Sequence, residues 1–175
     1  MKTTTISIVL LLLSPIVFAQ SETQFKEEAL KILTPIKKAF MKELRTGLKE
    51  GPYETVDSCH LKAPHIIESD YHQTYELGRT SDKIRNKNNS PQAWLEPILK
   101  EYIGSHIEKP VEAKVFKVKN KFAYVEPIYT SAVCLKCHGD LHGSVKKKIE
   151  ALYPKDMATG YKIGEFRGLF YIKQK

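Results

Sequence analysis

The sequence predicts an α+β fold, and three stretches carry that prediction. A helical apolar stripe opens the chain: Phe25, Ala29, Leu33, Ile36, Phe40, Leu44 and Leu48 recur at three- and four-residue steps. Two runs rich in β-branched and aromatic residues, Val111–Val118 and Phe122–Ile128, flank Lys119-Asn120-Lys121 and read as a hairpin. A last run, Phe166–Ile172, reads as a further strand. Helices first and strands later, without strand–helix–strand alternation, is the order of an antiparallel α+β domain.

Ahead of the first helix, Lys2, an apolar run from Ile6 to Phe18 and the triplet Val17-Phe18-Ala19 have the form of a signal peptide cleaved before Gln20. Ser14 and Pro15 interrupt that run, which is too short to span a bilayer comfortably. Residues 1–19 are therefore expected to be removed on export. Residues 20–175 are expected to form a single periplasmic domain with no membrane span after cleavage. A chain of this size buries about 70% of its unfolded surface, so its core needs no disulfide staples. The formal charge is +8, and loss of Lys2 lowers it by one. A basic exported protein suits acidic proteins or anionic headgroups. The lysines are scattered, with one cluster at Lys146, Lys147 and Lys148, and most of this charge reads as a solvated face. The compartment and the lack of an arginine-rich stripe argue against nucleic acid.

Ser21 to Lys49 is the leading helix. Ser21 and Gln24 form a capping box, Gly51-Pro52 stops the helix, and Lys49 sits at the negative end of its dipole. Thr34-Pro35 is expected to kink it. It is expected to pack on its own domain rather than on a second copy, giving a monomer or weak homodimer. A second helix covers Tyr53–Ala63, with Val56, Cys59, His60 and Ala63 on one face and Pro64 breaking or bending it. Tyr71–Ser90 is polar and reads as a long surface loop, a type of segment that is often functional inside compact domains. Pro91–Ile103 reads as a short helix with Trp94, Leu95, Ile98, Leu99 and Tyr102 inward. Beyond the hairpin, Ser144–Leu152 is a basic helix ended by Tyr153-Pro154, and Gly160–Gly164 is a turn.

Between hairpin and basic helix lies Val133-Cys134-Leu135-Lys136-Cys137-His138-Gly139. Cys-x-x-Cys-His is the attachment signature of a c-type haem. Two thiols three positions apart, Cys134 and Cys137, can form thioethers to the two vinyl groups of a porphyrin, and the next residue, His138, then lies under the ring where its imidazole binds iron. Export fits, because such haem is attached outside the cytoplasm. A thioredoxin-like pair would need a strand–helix–strand context that is missing. Half a zinc site lacks a second pair at ligand spacing. A plain disulfide leaves His138 without a role.

A second axial group has several candidates: Cys59, His60, His65, His72, His106, His142, Met41 and Met157. His142 is too near His138 in sequence to reach across the ring easily. Met157 has precedent in Met/His cytochromes, although a lone methionine is as often a gap filler. Cys59 is the odd cysteine, and an unpaired thiol in an oxidising compartment is a liability unless it is buried, paired or metal-bound. Iron ligand and inert buried cysteine both remain open for it on spacing alone.

Five stretches in this order resemble the family of PAS-like c-type haem domains: Cys59-His60-Leu61-Lys62-Ala63-Pro64-His65-Ile66, Arg79-Thr80-Ser81-Asp82-Lys83-Ile84-Arg85-Asn86, Cys134-Leu135-Lys136-Cys137-His138-Gly139, Tyr153-Pro154-Lys155-Asp156, and Gly160-Tyr161-Lys162-Ile163-Gly164-Glu165-Phe166-Arg167-Gly168. The resemblance implies a PAS-like fold, an antiparallel sheet with a long N-terminal helix beside it. It also implies one covalent haem c with His138 and Cys59 as axial pair. Arg79–Asn86 would then lie near the haem, with Arg79 or Arg85 suited to pair a propionate.

A His/Cys pair is expected to give a low potential and a ligand that leaves on reduction, opening a position for a diatomic gas or a replacement such as His60. That favours a redox or gas sensor, while a plain electron-transfer cytochrome is the alternative and a non-haem zinc or structural protein the remote one. No acid/base constellation, nucleophile motif or phosphate loop is legible, so an enzyme is not expected. No transducer domain is legible after the last strand, so a redox or signalling partner is expected to be a separate protein.

Overall fold

The computed structural model describes residues 20–67 and 70–175, so the expected signal peptide lies outside the described residues. Helix α1 spans Glu22–Glu50. Ser21 caps it with the anticipated box: its Oγ accepts from Gln24 N at 3.2 Å, while Ser21 N donates to the Gln24 side chain at 2.8 Å. The helix continues through Pro35, which lies exposed. Helix α2, Pro52–Ile67, likewise runs past Pro64 rather than ending there. It buries only Thr55 and Val56, the first of which packs against the face of Gly47 on α1.

Four strands form one antiparallel sheet: β1 Tyr75–Thr80, β2 Lys114–Val118, β3 Lys121–Tyr129 and β4 Phe166–Gln174, in the order β1-β4-β3-β2. The β2–β3 hairpin turns on Lys119 and Asn120, both at positive φ (48° and 66°), the geometry whose twist matches the flanking strands. Strand β1 is a correction to the surface-loop expectation for Tyr71–Ser90. Its Glu76, Gly78, Arg79 and Thr80 carry no strand pattern of their own, but pairing Leu77 with Ile172 makes it the partner of central strand β4. Tertiary pairing overrides weak local propensity there.

Neighbouring residues on a strand serve opposite faces of this sheet. Tyr124 and Ile172 join Phe25, Ala29, Ile32, Leu33 and Ile36 in a core under α1. Val125 and Leu169 face the other way, against Leu95, Leu99 and Tyr102, the last two on helix α3, Glu96–Tyr102. Helix α3 starts later than expected, with Pro97 rather than Pro91 in its first turn, because residues 93–95 form a turn. Helix α1 therefore packs on its own sheet. Helices α4, Leu135–His138, and α5, Gly143–Leu152, lie between β3 and β4 in the chain. A small third cluster, Val56, Cys137 and Ile149, joins α2, α4 and α5. No helix among the described residues is long and apolar enough to cross a membrane.

Candidate functional site

The cysteine segment takes its shape from the irregular end of β3. A register shift at Ile128/Tyr129 ends the regular pairing, a short turn over Ala132–Cys134 leads into α4, and Gly139 ends that helix by donating to Leu135 O at 3.0 Å. A Cβ at Gly139 would stand 2.8 Å from Leu135 O, so glycine is required where the chain leaves the motif. No disulfide joins any of the three cysteines. Cys134 is half-buried with its Sγ 3.2 Å from Ser131 Oγ, and Cys137 is buried with its Sγ 3.9 Å from Pro52 O at the start of α2. Among the described residues no group of three or more Cys, His, Asp or Glu is gathered to hold a metal ion by itself.

His138 is held from behind. Its Nδ1 lies 2.7 Å from Ala158 O. A carbonyl only accepts, so Nδ1 carries the proton and Nε2 keeps its lone pair. Burial, then Arg167 and Arg85, hold the imidazole well below the usual histidine range, so it is neutral and a competent ligand. The loop 153–160 is tied to the motif at several points: Tyr161 N donates to His138 O, and Gly160 N to Gly139 O, each at 3.0 Å. Arg85 clamps both sides, its Nη2 donating to Cys137 O (2.7 Å), Asp156 Oδ2 (2.9 Å) and Ala158 O (3.1 Å). A bound ring would therefore meet an imidazole already fixed in tautomer and orientation, the arrangement that stiffens metal-binding histidines.

Cys59 sits on α2 with its surface open to solvent, not packed on an apolar face as its spacing suggested. Protein around it still pushes the thiol up through burial, opposed by Arg79 and, less strongly, Arg85, while Glu43 adds to the rise. Cys59 and His138 are both within electrostatic reach of Arg79 and Arg85, and Cys137 feels Cys59 and Cys134. The neighbouring His60 bonds Tyr153 through Nδ1 at 2.7 Å, tying α2 to the 153–160 loop. Of the other candidates, Met157 lies in the loop that holds His138 but turns its side chain to solvent, and the rest lie elsewhere. Met157 is 56% exposed, His142 is exposed beside Asp140, His106 is bonded to Ile163 O at 3.0 Å, and Met41 is exposed on α1.

Three guanidiniums surround this region. Arg79 on β1 lies against the Phe40 ring, 3.9 Å from its centroid, and burial pushes it down to about 10. Arg167 on β4 lies over Tyr161 and reaches His138, its Nη2 3.3 Å from Nδ1 and 3.4 Å from Nε2. The Nε atoms of Arg79, Arg85 and Arg167 are all buried without a partner. Orphaned buried cations call for an anion, and a haem brings two carboxylates. The residues present fit the expected haem on both counts, ligand and charge. Sequence reasoning assigned no role to Arg167, Tyr161 or the Ala158 carbonyl. The Gly-Glu-Phe-Arg-Gly stretch marked Arg167 only as part of a pattern.

A family profile described as Tll0287-like matches residues 18–174. The chain belongs to the Tll0287-like family. Among solved structures, the crystal structure of the cyanobacterial heme-protein Tll0287 matches with a TM-score of 0.60, covering 83% of this chain and 93% of that one at 24% identity. That likeness shows a shared fold. No curated protein sequence matches this family member.

Proposed function

We propose that this chain is an exported monohaem protein of the c type, with thioethers from Cys134 and Cys137 and axial ligands His138 and Cys59, working as a redox or gas sensor. The observation that carries the reading is the pairing of a Cys-x-x-Cys-His motif with an imidazole whose Nδ1 proton is held by Ala158 O, so that Nε2 is presented as a ligand. Membership of a family represented by a heme protein supports it. When bound, the haem supplies an iron that changes oxidation state and can exchange an axial ligand. The chain supplies the rest. Arg85 and the 153–160 loop hold His138 in place, whereas Cys59 lies exposed on α2. One ligand is held in a hydrogen-bonded frame and the other is open to solvent, which suits a switch on the Cys59 side. A separate protein would read the displacement of α2.

The test is a Cys59→Ala variant compared with the parent by EPR and visible spectroscopy. Loss of the thiolate signature from the ferric spectrum is expected, and an unaltered signal would remove Cys59 from the iron. Haem that resists acid–acetone extraction is expected if the thioethers form. A shift from six- to five-coordinate spectra on reduction, or carbon monoxide binding to the ferrous form, is the sensor outcome. The same coordination in both oxidation states would return the reading to an electron-transfer cytochrome.

A further inference from the structure

Buried positive charge around the cysteine segment exceeds buried negative charge, and the excess has a definite size. Arg85 is matched by Asp156, and their side chains are only 13% and 7% exposed. Arg79 and Arg167 have no carboxylate partner among the described residues, and each keeps a buried Nε without a hydrogen bond. Their neighbours are aromatic faces, Phe40 for Arg79 and Tyr161 for Arg167. Arg167 lowers the proton affinity of Arg79, and Arg85 lowers that of Arg167. Like charges buried near one another without counter-ions are strongly unfavourable, and the fold goes to some length to put them there.

Strands β1 and β4 pair with Thr80 opposite Leu169, so Arg79 and Arg167 come from neighbouring strands near one end of the sheet. Next to Arg167, Gly168 takes φ +150°, and a Cβ there would stand 2.4 Å from Thr80 O. Only glycine lets the strands approach so closely. Ser81 Oγ then donates to Arg167 O at 2.9 Å, locking the backbone that carries the guanidinium. The Arg167 contact to His138 sharpens the point. Nη2 stands almost equally far from Nδ1 and Nε2, 3.3 and 3.4 Å, so it lies over the imidazole face and finds no anionic partner there.

We propose that Arg79 and Arg167 are the two carboxylate-binding residues of the site, each pairing with one haem propionate, and that Arg85 is instead the clamp that holds the Cys137-His138 segment. The inference rests on the haem reading proposed for this site. It matches two unpaired guanidiniums with two carboxylates, leaves the Arg85–Asp156 pair neutral, and gives the Gly-Glu-Phe-Arg-Gly stretch a task. Guanidinium–carboxylate pairs are strong and can be bidentate, so the assignment also orients the ring.

The experiment is spectroelectrochemical titration of the exported, haem-loaded full chain, comparing the parent with R79Q, R167Q, R79K and R167K. An uncompensated propionate favours the ferric state. Each Gln variant should therefore lower the midpoint potential by roughly a tenfold change in the reduction equilibrium, about 59 mV for one electron. Each Lys variant should recover most of that shift, and the ligation spectra should match the parent throughout. Parental potentials in R79Q and R167Q overturn the assignment. So does a fall in potential accompanied by altered axial-ligand spectra, which would trace the effect to His138. If the Gln variants fail to accumulate, the Lys variants decide. Red Lys variants with near-parental potential support the pairing, whereas their failure as well makes both arginines structural and overturns it. A colourless parent defeats the haem reading itself, a result distinguishable from all of these.

Discussion

Helix α1 lays Phe25, Ala29, Ile32, Leu33 and Ile36 on Tyr75, Leu77, Phe122, Tyr124 and Ile172, whereas the segment carrying Cys134, Cys137 and His138 joins a buried cluster of only Val56, Cys137 and Ile149. The first region is held by apolar area, at about 1.5–3 kcal/mol for each large side chain taken out of water. The second is held by directional bonds, His138 to Ala158, Arg85 to two carbonyls and Asp156, and the amides of Tyr161 and Gly160 on the carbonyls of His138 and Gly139. Apolar packing tolerates small shifts, while a hydrogen-bonded frame fixes one orientation. The sheet body thus provides stability, and the cysteine segment provides aim.

The largest effect bearing on this contrast lies under α1. Phe25 is fully buried and stacked 5.5 Å from Phe122, so Phe25→Ala should cost about 3–5 kcal/mol. Denaturant unfolding reads it, and a loss below about 1 kcal/mol would mean the sheet body does not rest on this core. Next is Gly168→Ala, where both φ +150° and the 2.4 Å approach to Thr80 O forbid a side chain. A loss of about 1–3 kcal/mol is expected there. Because Gly168 joins the sheet to Arg167, this variant should disturb both regions together.

Alkaline pH acts on both, since burial also raises Tyr153 and Tyr161 beside the cysteine segment, but most of the buried tyrosines lie in the sheet body. Burial raises Tyr75 and Tyr124 above the usual tyrosine range, with Glu28 and Glu126 adding to the effect, and raises Tyr102 to about 12. A raised folded-state value means that the stability from these groups is complete below the unfolded value of about 10 and is lost as pH climbs toward 12. All three pack within the sheet body. Tyrosinate absorbance and far-UV circular dichroism should therefore change together in that window, and tyrosine ionisation with the sheet intact would sink the prediction.

Asp156→Asn probes the contrast from the other side. It keeps the shape but removes the charge facing Arg85. Amide exchange at Gly160 and Tyr161 should speed up by about an order of magnitude, consistent with about 1–2 kcal/mol lost locally, while β3 and β4 amides keep their protection. Equal acceleration in the sheet would show that the two regions are one cooperative unit. The smallest effect is Ser21→Ala, about 1 kcal/mol from loss of the cap on α1, measurable as a modest fall in midpoint denaturant.

Local periodicity was enough to read α1 with its cap, the β2–β3 hairpin, α5 and β4, because each pattern is set by residues close in sequence. The motif of Cys134, Cys137 and His138 stands out for the same reason, and the haem attachment proposed for it rests on that spacing. Other features depend on partners far along the chain, and no local pattern encodes them. Tyr75–Thr80 became a strand because β4 offered it a register. Cys59 came out exposed rather than on a packed face. Arg85, picked from its motif as a propionate contact, lies on Asp156 and two carbonyls, while Arg167 came to stand against His138. A long charged side chain carries no periodicity that tells where its end will go. Its role is set by which strand ends and loops the fold brings within reach, and by which buried charges are left without a counter-ion.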